Sequence, residues 1–88
     1  MMNTENTTLP FVSALLVTYN ESQYIERSLE SLLLQDYPKA LYEIIIIDGS
    51  STDGTLSLAK GLVQQHINRG ESVPQISYLE NSKKILAT

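Results

Sequence analysis

The chain contains no cysteine. A disulfide scaffold and a cysteine-ligated zinc site are therefore excluded, and a reducing compartment suits the composition. Glycine is scarce: there are four, and none precedes Gly49. A dinucleotide-binding G-x-G-x-x-G turn and a G-x-x-x-x-G-K-[ST] phosphate loop both need glycines just after the first strand, so neither fits. Positive charge is thin as well. Six Lys and Arg stand against ten Asp and Glu, for a net charge of −4, and only Lys83 and Lys84 are adjacent. That argues against nucleic-acid binding, which needs clustered cations against the phosphate backbone. Long apolar runs are missing too. Ala14 to Val17 and Ile44 to Ile47 are short, far below the roughly 20 residues a membrane-spanning helix needs. Met1 to Thr8 is polar and lacks the basic and apolar regions of an export signal. The expected location is the cytoplasm, with membrane association of a full-length protein left open. His66 is the only histidine and reads as a packing or surface residue.

What is present is a regular alternation. After a loose tail over residues 1–10, Phe11 to Val17 is almost continuously apolar, the pattern of a strand buried on both faces of a parallel sheet. A helix should follow, with Asn20 as its N-cap and Gln23 as the capping-box partner. Ile25, Leu29, Leu32 and Leu33 form its apolar stripe, Leu34 lies off that stripe, and Pro38 marks its end. Glu43 to Ile47 is a second strand, built on four consecutive isoleucines. A second helix is predicted with Leu56, Ala59, Val63 and Ile67 inward and Gly70 as its stop, with Thr52 and Asp53 as caps. Gln75 to Leu79 reads as a third strand, and Asn81 to Thr88 as the start of a third helix.

A βαβαβ order implies a parallel α/β sheet with right-handed crossovers and strand order 3-2-1. Both helices then lie on one face. The other face is left bare, although the first two strands are apolar on both sides. Leaving several Ile and Leu side chains wet forgoes several kcal/mol at about 25 cal/mol per Å². The chain therefore reads as half of a larger α/β domain. Its open strand edge and bare sheet face predict self-association.

Ligands of open α/β sheets bind at the carboxyl ends of the strands. Two polar clusters fall there: Thr18-Tyr19-Asn20-Glu21 and Asp48-Gly49-Ser50-Ser51. Tyr19 offers a face on which a base can stack. Asp48 offers an acceptor for an imide N–H such as that of uracil, and Glu21 a second acceptor near a ribose. Together they describe a pyrimidine-nucleotide pocket.

Three stretches, V-S-A-L-L-V-T-Y-N-E, S-L-L-L-Q-D-Y-P and E-I-I-I-I-D-G-S-S-T-D-G-T, resemble in order and spacing the N-terminal segment of family 2 glycosyltransferases. The resemblance covers about residues 11–82. It implies the GT-A fold and an inverting, metal-dependent enzyme using a nucleotide-diphosphate sugar, with residues 11–88 as the N-terminal part of that domain. By motif position Tyr19 matches the base-stacking tyrosine, Asp48 the base-binding aspartate, and Thr18 and Glu21 the strand-end residues around the nucleotide. Asn20, Gly49 and Ser50 hold the turns. The family more often carries a second Asp where this chain has Gly49, a variant similar to members that build bacterial exopolysaccharides. The resemblance also implies a divalent cation, Mg or Mn, in the full-length enzyme. The family's Asp-x-Asp metal motif and its general base come later in the chain than any matching residue here. The expectation is a donor-base subsite, for a UDP-sugar, with no catalytic or metal-binding residue in this chain. The acceptor would be a saccharide or a lipid-linked molecule. The rival expectation is a non-catalytic nucleotide-binding or interaction module.

Overall fold

A computed structural model describes residues 9–80. The expected tail over residues 1–8, the third helix over residues 81–88 and the Lys83-Lys84 pair lie outside the described residues. The elements follow the order β1 (Val12–Thr18), α1 (Ile25–Leu33), a 3-10 turn (Lys39–Leu41), β2 (Tyr42–Asp48), α2 (Thr55–Asn68) and β3 (Gln75–Glu80). All strand pairs are parallel and β2 is central, the order expected from the sequence.

Both helices pack on one face of the sheet. Ile25, Leu29 and Leu33 of α1, Ile44 and Ile46 of β2, and Ala59, Leu62 and Val63 of α2 form one buried cluster. On the opposite face the register sets Leu15 beside Ile45 and Ser77, and Val17 beside Ile47 and Leu79. Leu15 is 61% exposed there and Leu79 49%. Among the described residues no element covers this face, as the topology required.

The helix ends depart from the sequence pattern. Asn20 does not cap α1: it takes a left-handed φ of 49° and is drawn to the neighbouring loop. The first turn is nucleated instead by the Glu21 carbonyl, which accepts from the amides of Tyr24 and Ile25 at 2.9 and 2.8 Å. At its other end α1 stops at Leu33, five residues before Pro38. The Lys39 ammonium donates to the Leu33 and Gln35 carbonyls, and the Tyr42 hydroxyl to the Leu32 carbonyl. These donors satisfy carbonyls that another helical turn would have used. Leu34 is exposed, as its position off the stripe required.

Helix α2 is rotated from its predicted phase. Thr55, Ala59, Leu62, Val63 and His66 are buried, whereas Ile67 points outward. The rotation places His66 between two carboxylates that sequence spacing did not reveal. Its Nδ1 is 2.5 Å from Glu71 Oε1 and its Nε2 is 3.5 Å from Glu30 Oε2, on α1. Gly70, at φ 80°, closes the helix with a Schellman pair: the Gly70 amide donates to Ile67 and the Glu71 amide to His66.

Candidate functional site

The register puts Thr18, Asp48 and Glu80 in one row at the carboxyl ends of the three strands. Beyond that row, the β1–α1 and β2–α2 loops run side by side and are stitched together by side-chain oxygens.

Asp48 is the inner knot. It is 1% exposed. Its Oδ1 accepts from the Thr18 hydroxyl at 2.9 Å and the Ser51 hydroxyl at 2.6 Å, and its Oδ2 from the Ser51 amide at 2.8 Å. Burial by itself would raise the Asp48 pKa. The donors from Ser51 and Thr18 outweigh burial and hold the carboxyl below its ordinary value. A carboxylate has about four acceptor positions; among the described residues three of Asp48's are filled, two on Oδ1 and one on Oδ2. The Gly49 amide adds a bond to the Thr18 carbonyl at 2.9 Å. Ser50 takes a left-handed φ of 67°, which turns the chain towards α2.

The outer stitches capture three consecutive amides of the first loop. Asn20 N–H donates to Ser51 Oγ at 2.7 Å, Glu21 N–H to Thr55 Oγ1 at 2.9 Å, and Ser22 N–H to Asp53 Oδ2 at 3.0 Å. In return Asn20 Oδ1 accepts from the Thr52 amide at 2.8 Å. Asp53 Oδ1 also accepts the Thr55 amide at 3.1 Å and the Thr55 hydroxyl. The Thr55 hydroxyl first, with the Ser22 and Thr55 amides, brings the Asp53 pKa from its ordinary 3.8 down to about 2, against a smaller effect of burial.

With these amides committed inward, the first loop has no row of free N–H groups with which to cradle a phosphate. Tyr19 is 48% exposed where β1 ends, and Glu21 is exposed two residues on. Thr18, by contrast, is buried and spends its hydroxyl on Asp48. The structure thus gathers Thr18, Tyr19, Asn20, Glu21, Asp48, Gly49 and Ser50 at one end of the sheet. It also brings in Ser51, expected only as part of the second polar cluster, Asp53, expected only as a cap, and Thr55, which no sequence pattern marked. Among the described residues no three His, Asp or Glu side chains converge as metal ligands. Each carboxylate oxygen of Asp48 and Asp53 accepts from at least one protein donor.

The same architecture and motifs occur in known proteins. The chain is 50% identical over 56 residues to a dolichyl N-acetyl-alpha-D-glucosaminyl phosphate 3-beta-D-2,3-diacetamido-2,3-dideoxy-beta-D-glucuronosyltransferase of Methanococcus voltae, covering 64% of this chain and 17% of that protein. It is 32% identical over 92 residues to the poly-beta-1,6-N-acetyl-D-glucosamine synthase of Staphylococcus epidermidis, covering 89% of this chain and 22% of the relative. Among solved structures it matches the mannosyltransferase PcManGT from Pyrobaculum calidifontis, in complex with GDP-Man and Mn2+, at a TM-score of 0.74 and 32% identity. That match covers 86% of this chain and 21% of the mannosyltransferase. The chain thus spans about a fifth of the length of these relatives. The family signature of glycosyl transferase family 2 matches residues 13–85, and with the shared GT-A architecture of the βαβαβ unit it follows that this chain belongs to glycosyl transferase family 2.

Proposed function

We propose that the chain is the donor-base portion of an inverting glycosyltransferase that moves a sugar from a nucleotide-diphosphate donor, a UDP-sugar, to a saccharide or lipid-linked acceptor in the cytoplasm. The observation that carries this reading is the exposed Tyr19 and Glu21 held at the strand ends by the stitched loops. Tyr19 supplies the stacking face, worth about 1–3 kcal/mol per base. Glu21 is the acceptor for a ribose hydroxyl. Asp48 holds the floor of the site, and its remaining Oδ2 position accepts an imide N–H, while Thr18 keeps the carboxylate in place. The structural neighbour was solved with a nucleotide sugar and Mn2+, which supports a nucleotide donor and a divalent cation for the complete enzyme. The described residues do not fit a cation, so no step of transfer is assigned to this chain.

Titration calorimetry with UDP, and with GDP and CDP as parallel arms, tests the reading. UDP should bind weakly and saturably, Tyr19→Ala should abolish a weak signal, and Asp48→Asn should weaken it. Equal affinity in wild type and Asp48→Asn removes Asp48 from base recognition, and preference for GDP replaces the uridine assignment. Incubation with UDP-sugars and Mn2+ should release no UDP above background; metal-dependent turnover by this chain would overturn the division of labour. Absence of saturable nucleotide binding would favour a non-catalytic interaction module.

A further inference from the structure

We propose that Asp53 is a positioning residue of the nucleotide subsite, setting the direction of Tyr19 and Glu21 across the gap between the two loops. The inference rests on the nucleotide reading above. A cap confined to its own helix would bond only to the first turn of α2. Asp53 does this through Oδ1, to the Thr55 amide and hydroxyl. Its Oδ2 does something else: it reaches a residue 31 positions earlier and takes the Ser22 amide at 3.0 Å. The Thr55 hydroxyl, oriented by donating to Asp53, has its lone pairs turned to the Glu21 amide at 2.9 Å. One carboxylate therefore fixes two consecutive peptide groups of the first loop, one directly and one through Thr55.

Those two peptides decide how the loop presents its side chains. Glu21 projects from the first of them. Tyr19 lies one residue before the left-handed Asn20, whose own amide is held by Ser51. With Glu21 and Ser22 pinned on one side and Thr18 on the other, the backbone that carries Tyr19 is held from both ends. Thr55 is buried, so the anchor beneath the bracket is rigid. The Asp53 carboxylate is exposed but turned to the protein amides, so its effect on a ligand passes through the backbone.

The test compares wild type, Asp53→Ala and Asp53→Asn. Gly70→Ala is the control. It strains a left-handed residue at the opposite end of α2 and leaves the loops untouched. Two readouts are used on the full chain: amide and tyrosine-ring NMR shifts without ligand, and UDP affinity. Asp53→Ala should shift the Glu21 and Ser22 amides and the Tyr19 ring protons, leave β1 amides from Val12 to Leu16 in place, and weaken UDP binding by about tenfold or more. Asp53→Asn, which keeps one acceptor oxygen, should recover part of that loss. Gly70→Ala should lower the melting temperature without changing UDP affinity. Unchanged Tyr19 and Glu21 signals, or UDP affinity equal to wild type in Asp53→Ala, overturns the assignment. A loss of affinity in Gly70→Ala as large as in Asp53→Ala also overturns it, because destabilisation alone would then explain both. No saturable UDP binding by wild type overturns the nucleotide reading itself, and the assignment falls with it.

Discussion

Replacing Asp48, the last residue of β2, with alanine should destabilise the fold and loosen both loops. The side chain is 1% exposed and accepts from Thr18 Oγ1, Ser51 Oγ and Ser51 N–H. Alanine leaves all three donors without their acceptor. Thr18 is itself buried, so its hydroxyl cannot turn to water; a stranded buried donor costs about 1–3 kcal/mol. Ser51 is half-buried and recovers part of its loss by hydration, leaving about 1 kcal/mol for its two donors. The sum is about 2–4 kcal/mol. A chain of this size has a total stability of about 4–13 kcal/mol, so the loss is a large share of what holds the fold. Asp48→Asn keeps the volume and one carbonyl acceptor and should cost about half as much. Urea unfolding followed by far-ultraviolet circular dichroism gives both values from the midpoint at constant slope. An Asp48→Ala midpoint within about 0.5 kcal/mol of wild type, the range of a neutral surface change, would show that the three bonds do not hold the loops. A two-state transition with an altered slope would instead place the effect in the unfolded chain.

Acid should loosen the same region. Asp53 is held at about 2 and Asp48 is also lowered, so both folded values lie below the unfolded ones. Their stabilisation is complete above the unfolded value near 4 and is lost as pH falls towards 2; urea midpoints at stepped pH should fall across that window, and Asp53→Ala should flatten part of the slope. In the core, Leu29→Ala should cost about 2–5 kcal/mol because Leu29 is fully buried between α1 and the sheet, whereas Leu15→Ala on the bare face should cost under about 0.5 kcal/mol; equal thermal shifts would contradict the one-sided packing. Light scattering over a concentration series should show the mass of the wild type rising, through the bare face and the β1 edge, and Leu15→Glu should reduce that rise. A monomer mass at every concentration would mean that these surfaces do not pair copies of the chain.

Much of the fold was legible because it follows from local pattern and handedness. Four isoleucines in a row mark β2, and alternating their side chains buries Ile44 and Ile46 while Ile45 and Ile47 face the other way. Right-handed crossovers then fix strand order and the covered face. The phase of α2 was harder to read. An apolar count favours Ile67 over His66, yet His66 turns inward, its Nδ1 bonded to Glu71 and its Nε2 3.5 Å from the Glu30 carboxylate with no hydrogen-bond partner among the described residues. Those carboxylates come from the turn after α2 and from α1, and helix periodicity carries no information about either.

The loops show where local reading stops and why. Asn20 with Gln23 satisfies the capping-box pattern, yet Asn20 bonds to Ser51 and Thr52. Asp53 was expected as the cap of α2, but Gly54 holds that position; Asp53, one residue earlier, takes the Thr55 amide and also the Ser22 amide of the other loop. One signal could have exposed these contacts. The strands pair at an offset of 30, from Val12 with Tyr42 to Thr18 with Asp48. Carried past the strand ends, nearly the same offset joins Asn20 to Ser51 and Ser22 to Asp53, each 31 apart, and Asn20 to Thr52, 32 apart. Parallel strands in register deliver their following loops side by side. A run of Ser, Thr and Asp after one strand is then a row of acceptors for the amides after the other. Read that way, S-S-T-D-G-T supports the loop that carries Tyr19 and Glu21, through the Ser51 and Thr55 hydroxyls and the Asp53 carboxylate.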